Sequence, residues 1–477
     1  MARALVWNAA ARWLSQLLSW CSTIIVARLL TPYDYGLVGM AGLYLSGAML
    51  ISQAGIGEAI IALRDLTRQQ VAELNSISLI LGLALFGISC LVARPIAGFF
   101  SAPPLFLVLI ASSGMFLFNA VQVVPRALLQ RDLRFKVLAA IETVRTFLQV
   151  TATLLLAWLK FRYWSLVISS ISGCAVASVL TLYLRSHGFA RPKLSHLRSE
   201  LKYSFQVLLS SIAWYAYDNA DFGVAGRVLG EAPLGNYTVA WTISTAPVEK
   251  ITNLVTGVTP AYFSAVQEDR AELRRYLLRL TELLSFVTIP ASIGLSLSAD
   301  SLIPVLLGPK WNEAIGPLRL LGIFVAARSI TTILPNLLTA IGDAGFVMRV
   351  TVGAAVLMPI AFLLGSRWGA TGIAATWIFA SPAILGPMLY RVLKKTKMEV
   401  KTYLVTIFPA INGSLAMTAV ILLLRSLMRS NSNSPLTLLL ILVSGAVSYS
   451  GALFLFHRER VGQLFKITRG MLKGTKL

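Results

Sequence analysis

Charge is what this sequence has least of. Only 13% of its 477 residues are Asp, Glu, Lys or Arg, against about 25% in a soluble globular chain. With 56% hydrophobic residues beside so few charges, a single water-soluble core is excluded. Cysteine is scarce too. Cys21, Cys90 and Cys174 lie in apolar stretches without metal-ligand spacing, which excludes a disulfide framework or a zinc site and leaves them as small packing residues. The three histidines, His187, His196 and His457, fall in basic segments, and there is no Walker loop, metal-ligand cluster or nucleophile with an evident base. A polymerase or ligase would need acid–base residues on a substantial loop, and the external loops are mostly short, so the chain reads as a non-enzyme. The N-terminus has no short apolar core with a cleavage site. Its apolar character runs from Val6 to Leu30, which reads as an uncleaved first span.

Long apolar segments fill the chain instead. They lie near 6–28, 36–62, 72–93, 104–124, 137–159, 163–184, 203–226, 236–262, 277–299, 315–341, 346–365, 370–390, 402–424 and 435–456. At about 20 residues per span, the expected fold class is an all-α polytopic membrane protein with about fourteen transmembrane helices. The seventh, eighth and tenth segments are the least hydrophobic.

The net charge of +22 comes from 42 Lys and Arg against 20 Asp and Glu. In a soluble protein that excess would suggest nucleic acid; in a membrane chain it sets orientation. With a cytoplasmic N-terminus, 28 cations fall on the cytoplasmic side, 9 on the other and 5 within spans, which satisfies the positive-inside rule. Both termini are therefore expected to be cytoplasmic, with anionic membrane lipid rather than nucleic acid as the partner of the basic loops.

Two basic linkers, 185–202 and 391–401, divide the chain. An N-terminal six-helix bundle (1–184), a second six-helix bundle (203–390), an extra helix pair (402–456) and a basic cytoplasmic tail (457–477) are the expected parts. Sliding one bundle over the other by 199 residues superposes Ala27 to Gly36 on Gly226 to Gly235. Arg28 then meets Arg227, Leu30 meets Leu229, Gly36 meets Gly235 and, further on, Ala41 meets Ala240. Six helices separate equivalent points, so the repeats are parallel, about an axis normal to the membrane.

A helix bathed in lipid should be apolar all round, so a polar stripe at helical spacing marks a face turned to protein or water. Asn8, Arg12, Ser15, Ser19 and Ser22 form one on the first span. Ser204, Ser211, Tyr215 and Asp218 form one on the seventh, where the repeat offset also brings Ser22 onto Asp221. On the second span Gly42, Ser46, Gln53 and Gly57 share a face, and on the eighth Trp241, Thr245, Glu249, Thr252, Thr256 and Thr259 do. Helices one, two, seven and eight are thus expected to line a polar cavity, although small residues also serve close helix packing. Charges discriminate better, since each costs about 2.5–3.5 kcal/mol at a helix centre on insertion scales. Arg12, Arg145, Lys250 and Arg328 are the candidate cavity cations, and Glu142, at i−3 from Arg145, is a candidate structural partner for it. Asp218, Asp221 and Glu249 are the candidates for coupling to H+ or Na+, and no bound cofactor is expected.

The run Ala27-Arg28-Leu29-Leu30-Thr31-Pro32-Tyr33-Asp34-Tyr35-Gly36-Leu37-Val38, followed by Gln53 to Ile61 and by Pro125 to Phe135, resembles bacterial oligosaccharide flippases of the Wzx type. The likeness is greatest to the exopolysaccharide and colanic acid exporter branch of the MOP transporter superfamily. It implies two bundles facing each other across a V-shaped cationic cavity lined by helices one, two, seven and eight, in the bacterial inner membrane. It also implies transport of undecaprenyl-diphosphate-linked oligosaccharide to the outer leaflet by alternating access, with polysaccharide polymerase and export machinery as candidate partners. Related lipid II flippases use basic residues in the first, second and eighth helices. Arg12 and Lys250 match the first and third, whereas the second span carries Glu58 instead. A lipid II flippase and a multidrug cation antiporter of the same superfamily are the alternatives, the latter needing an acidic excess in its cavity.

Overall fold

The computed structural model describes residues 22–53, 56–62, 66–192, 211–212, 214–256, 259, 263, 266, 269–428, 434–460 and 462, and every regular element among them is helical. Ten segments of the described chain are long and apolar enough to cross a membrane, and one of these, Ala344–Thr396 with 53 residues, holds two of the predicted spans. The fold is therefore that of an all-α polytopic membrane protein. Most of the predicted first span, including Asn8, Arg12, Ser15 and Ser19, lies outside the described residues, as does the linker beyond residue 192.

The chain divides into two compact units, Met1–Gly235 and Asn236–Leu477. In the first, α1 (22–29) leads into α2 (Pro32–Gln53), α3 (Ile56–Ala62), α4 (Arg68–Phe99), α5 (Leu105–Ser113), α6 (Met115–Arg131), α7 (Phe135–Trp158) and α8 (Trp164–Leu184). Then come α9 (214–218), α10 (Ala220–Leu229) and the first turn of α11 (Glu231–Thr256). The second unit holds the rest of α11, then α12 (Arg270–Leu306), α13 (Ile315–Thr331), α14 (Leu334–Ala340), α15 (Ala344–Gly365), α16 (Gly369–Ala380), α17 (Pro382–Thr396), α18 (Val400–Leu427) and α19 (Pro435–Phe456).

Local chemistry explains where these helices begin. Thr67 and Gln70 form a capping box at the start of α4, Asp269 accepts from the amides of Ala271 and Glu272 at the start of α12, and Ser434 caps α19. At the start of α2, within the motif that repeats, Thr31 donates its amide and hydroxyl to the Asp34 carboxylate at 2.9 and 2.7 Å. Asp34 is fully buried and also lies 3.5 Å from Arg162, in the turn before α8.

Lipid tails are as apolar as leucine, so helix association rests on close packing and interhelical hydrogen bonds. In the first unit the Ser78 hydroxyl donates to the Ala120 carbonyl at 2.9 Å, joining α4 to α6. In the second, Ser296 donates to the Arg319 carbonyl at 2.7 Å and Thr288 bonds Ser329 at 2.7 Å, joining α12 to α13. One contact is tighter than any of these. Gly36 lies so near the backbone of Glu231 that a Cβ would overlap the Glu231 carbonyl, and a Cβ on Gly235 would overlap the carbonyl of Pro32. The two positions that the repeat makes equivalent thus meet reciprocally, backbone to backbone, at the first turns of α2 and α11.

Each unit also carries an ion pair at an equivalent place. Asp132, between α6 and α7, pairs with Arg185 at the end of α8 at 2.9 Å. Asp343, before α15, pairs with Arg391 of α17 at 2.7 Å, with Lys395 at 3.9 Å. The start of the first basic linker is fastened nearby, since Asn75 of α4 donates to the Gly188 carbonyl at 3.2 Å and the Ala190 amide donates to Ser76 at 3.1 Å.

Arg391, through its hydrogen bond, holds the Asp343 carboxyl below the usual carboxylate range. A depressed folded pKa means stability present at neutral pH and lost as pH falls through that value. Asp343→Asn is expected to lower the melting temperature of the detergent-purified protein at about pH 7 and to make progressively less difference as the pH falls below the ordinary carboxylate range and Asp343 takes up its proton. A loss that does not shrink as the pH falls would show that the pair contributes through shape rather than charge.

The extra helix pair is fastened to α12 at several points. The Tyr449 hydroxyl donates to the Phe286 carbonyl at 2.7 Å, Arg425 reaches Asp300 at 2.9 Å, and Arg460 reaches Glu282 at 3.0 Å. Phe286, Met417, Ile421, Ile441, Tyr449 and Leu453 pack together between those ties.

Candidate functional site

Within the first unit the seventh span meets the second through Tyr215, while Ser204 of its stripe lies outside the described residues. Tyr215 of α9 donates its hydroxyl to the Leu43 carbonyl of α2 at 2.6 Å, and its ring abuts Gly47, next to the exposed Ser46. A glycine at 47 is what lets the ring approach, since even a Cβ there would lie 3.1 Å from it. Asn219 returns its amide to the Tyr215 carbonyl at 3.1 Å, at the irregular turn joining α9 to α10. Asp218 and Ser211 are half-buried and Asp221 is fully buried, and each has an interaction partner. Gln53 ends α2, with its side chain outside the described set. Arg145, on α7, is 3.5 Å from Glu142, so its charge is already shared with a carboxylate one turn away.

In the second unit α11 carries the other stripe. Thr245 and Thr252 are buried, and their hydroxyls return to their own helix, Thr245 to the Trp241 carbonyl at 3.0 Å and Thr252 to that of Val248 at 3.2 Å. Glu249 and Lys250 are exposed; the Thr256 side chain lies outside the described set. Arg328 of α13 is held differently. Its guanidinium lies over the rings of Trp241, at 5.7 Å, and Phe324, at 5.9 Å.

Those two rings belong to a larger aromatic cluster. Phe324 stacks on Trp377 of α16 at 4.7 Å, Trp241 lies 5.6 Å from Trp377, and the Trp377 indole donates to the Tyr237 hydroxyl at 3.1 Å. A cation over aromatic faces keeps its N–H donors while its charge is offset by the ring quadrupoles, which makes an arginine tolerable at membrane depth and leaves it able to bind an anion. Spacing on α11 pointed to Trp241, and Tyr237 lies one turn before it on the same face; Phe324 and Trp377 come from other helices and had no sequence signal.

The model of the family described as polysaccharide biosynthesis protein matches residues 25–316, more than half of the chain. The chain belongs to that family. Among polysaccharide biosynthesis proteins and their relatives, it is 25% identical to the lipopolysaccharide biosynthesis protein WzxC of Escherichia coli (strain K12), over 86% of this chain and 81% of that one. In fold it resembles the lipid II flippase MurJ in an inward closed conformation, with a TM-score of 0.79 and 15% identity across 96% of this chain and 100% of that one. An inward-facing multidrug resistance MATE family transporter of the MOP superfamily matches with a TM-score of 0.61 and 17% identity, over 81% of this chain and 96% of that one. This polysaccharide biosynthesis protein therefore shares its fold with those two membrane proteins. The resemblance read from Ala27 to Val38 and from Pro125 to Phe135 holds, since both runs lie inside the family match.

Proposed function

We propose that this chain is a flippase that moves undecaprenyl-diphosphate-linked oligosaccharide from the cytoplasmic to the external leaflet of a bacterial cytoplasmic membrane, by alternating access, for polysaccharide assembly. The single observation that carries the reading is an arginine, Arg328, held over aromatic rings inside a span of a polysaccharide biosynthesis protein. A diphosphate–sugar head cannot cross hydrocarbon unaided, and a guanidinium offers it forked, charge-assisted hydrogen bonds. Arg12 and Lys250, with Arg145 as a further cation, serve the same anion in this reading. Asn8, Ser15, Ser19, Ser46, Gln53, Ser211, Tyr215, Thr245, Thr252 and Thr256 supply polar lining. Asp218, Asp221 and Glu249 are the groups that would take up or release H+ or Na+. Both termini and both basic linkers face the cytoplasm, where a polymerase and anionic lipid are the natural partners.

Deleting the gene should make a lipid-linked oligosaccharide accumulate on the cytoplasmic leaflet, read by mass spectrometry of extracted lipid and by its protection from an impermeant reagent. Arg12→Ala should cut export at equal membrane abundance, Arg12→Lys should keep part of it, and Arg12→Glu should be the most damaging. Absence of any accumulated lipid-linked sugar in the deletion strain would overturn the reading, and unimpaired export by well-inserted Arg12→Ala would remove Arg12 from it.

A further inference from the structure

The face that α11 exposes is not the one its polar spacing selected. In the second unit Thr245, Thr252 and Thr259 are buried, whereas Thr242, Glu249, Lys250 and Asn253 are exposed. At about 100° per residue, Thr242, Glu249 and Asn253 fall within about 40° of one another, with Lys250 on one flank. They mark a line roughly 16 Å long on the helix. With 26 residues α11 is long enough to cross a membrane, yet it is not one of the ten segments of the described chain apolar enough to do so. A carboxylate, an ammonium and an amide exposed at that depth face water rather than lipid tails.

The chemistry of the line is specific. Among the described residues, the side chains of Glu249, Lys250 and Asn253 make no hydrogen bond or ion pair, so their polar atoms are uncommitted. The Thr242 hydroxyl donates to the Thr238 carbonyl at 2.8 Å, which leaves its oxygen to accept. Pro247 has no N–H, so the Ile243 carbonyl beside Thr242 lacks its helical donor. Hydroxyl, carboxylate and amide oxygens thus give the line a surplus of acceptors. A neutral group with many O–H donors complements it, and a saccharide is such a group. An anion does not, because Glu249 repels it. The cations stand off the line, Lys250 on one flank and, on the other, Trp241 with Arg328 over its ring.

We propose that Thr242, Glu249 and Asn253 form the surface that recognises the saccharide of a lipid-linked oligosaccharide, through hydrogen bonds to its hydroxyls, with the diphosphate held off that line by a flanking cation. The assignment rests on the flippase reading and divides one helix between sugar and phosphate.

The test is retention of two probes by the full-length protein in phosphatidylcholine nanodiscs, read by native mass spectrometry. One probe is the lipid-linked oligosaccharide extracted from the deletion strain, and the other is undecaprenyl diphosphate without sugar. The unaltered protein should retain the first about tenfold better, as two neutral hydrogen bonds supply about that factor. Thr242→Val with Asn253→Leu should abolish the preference and leave retention of undecaprenyl diphosphate unchanged. Thr242→Ser with Asn253→Gln keeps both kinds of group and should keep most of the preference. If the apolar pair lowers the melting temperature, Thr242→Val alone, nearly isosteric and at an exposed position, carries the same test with a loss of about threefold. An unaltered protein without the preference, a folded apolar variant that keeps it or loses both probes alike, or a conservative pair that loses it fully overturns the proposal. A deletion strain that accumulates no lipid-linked oligosaccharide removes the flippase reading itself, whereas retention of that lipid without regard to its sugar removes only the face assigned on α11.

Discussion

Gly36→Leu is expected to reduce polysaccharide export about 10- to 100-fold at normal membrane abundance, as overpacking a contact costs about 1–3 kcal/mol and each 1.4 kcal/mol is a factor of ten. The reason is the crossing with Gly235, where backbone meets backbone and no side chain fits on either partner. Gly235→Leu should act alike, and even alanine should be harmful at either position, because it is the Cβ that collides. Gly87, on the exposed side of α4 and outside the four stripes, provides the control, because a Cβ at that position would meet nothing within 4 Å among the described residues. Gly87→Leu should therefore leave export near normal. Surface polysaccharide and membrane abundance measured on the same cultures decide the matter. Equal tolerance of leucine at 36 and 87 would mean that the crossing does not need to form during transport.

Arg328→Ala should lower export by about 10- to 100-fold, the loss of one or two charge-assisted hydrogen bonds to a phosphate. Arg328→Lys keeps a charge but gives up the flat fork that lies over Trp241 and Phe324, so it should recover only part of the activity. Trp241→Phe should retain more than Trp241→Ala, because an aromatic face is what the guanidinium needs. Export normalised to protein in the membrane is the measurement. Full activity in Arg328→Lys together with Trp241→Ala would remove both the fork and the ring from the account.

Helical periodicity made the contact between α9 and α2 foreseeable, since Tyr215 lies on the seventh-span stripe and Leu43 falls beside the second-span face. The 199-residue offset likewise pairs Gly36 with Gly235, the two positions whose backbones touch. Both signals work because a repeat and a stripe are written in local spacing. Hydroxyl use is not. Thr245 and Thr252 fall on the α11 stripe, yet each hydroxyl is satisfied by a carbonyl of its own helix, a choice of rotamer that spacing cannot reveal. Asp300, Arg319 and Arg425 were invisible as a group for another reason. They come from three segments up to 125 residues apart, and only packing of α12, α13 and α18 makes them neighbours.

The ties along α12 bear on where the molecule can be cut. Glu282 and Asp300 stand near opposite ends of the membrane-crossing part of that helix, and each draws an arginine from the C-terminal region, Arg460 just after α19 and Arg425 of α18. A chain stopped at the second basic linker would keep both carboxylates and lose both of these arginines, and it would bare Phe286 where Tyr449 now bonds its carbonyl. What looks like an appendage of two hydrophobic helices is thus part of the smallest piece of the second unit that could be produced intact, and a fusion or split point belongs after Arg460 rather than before Val400.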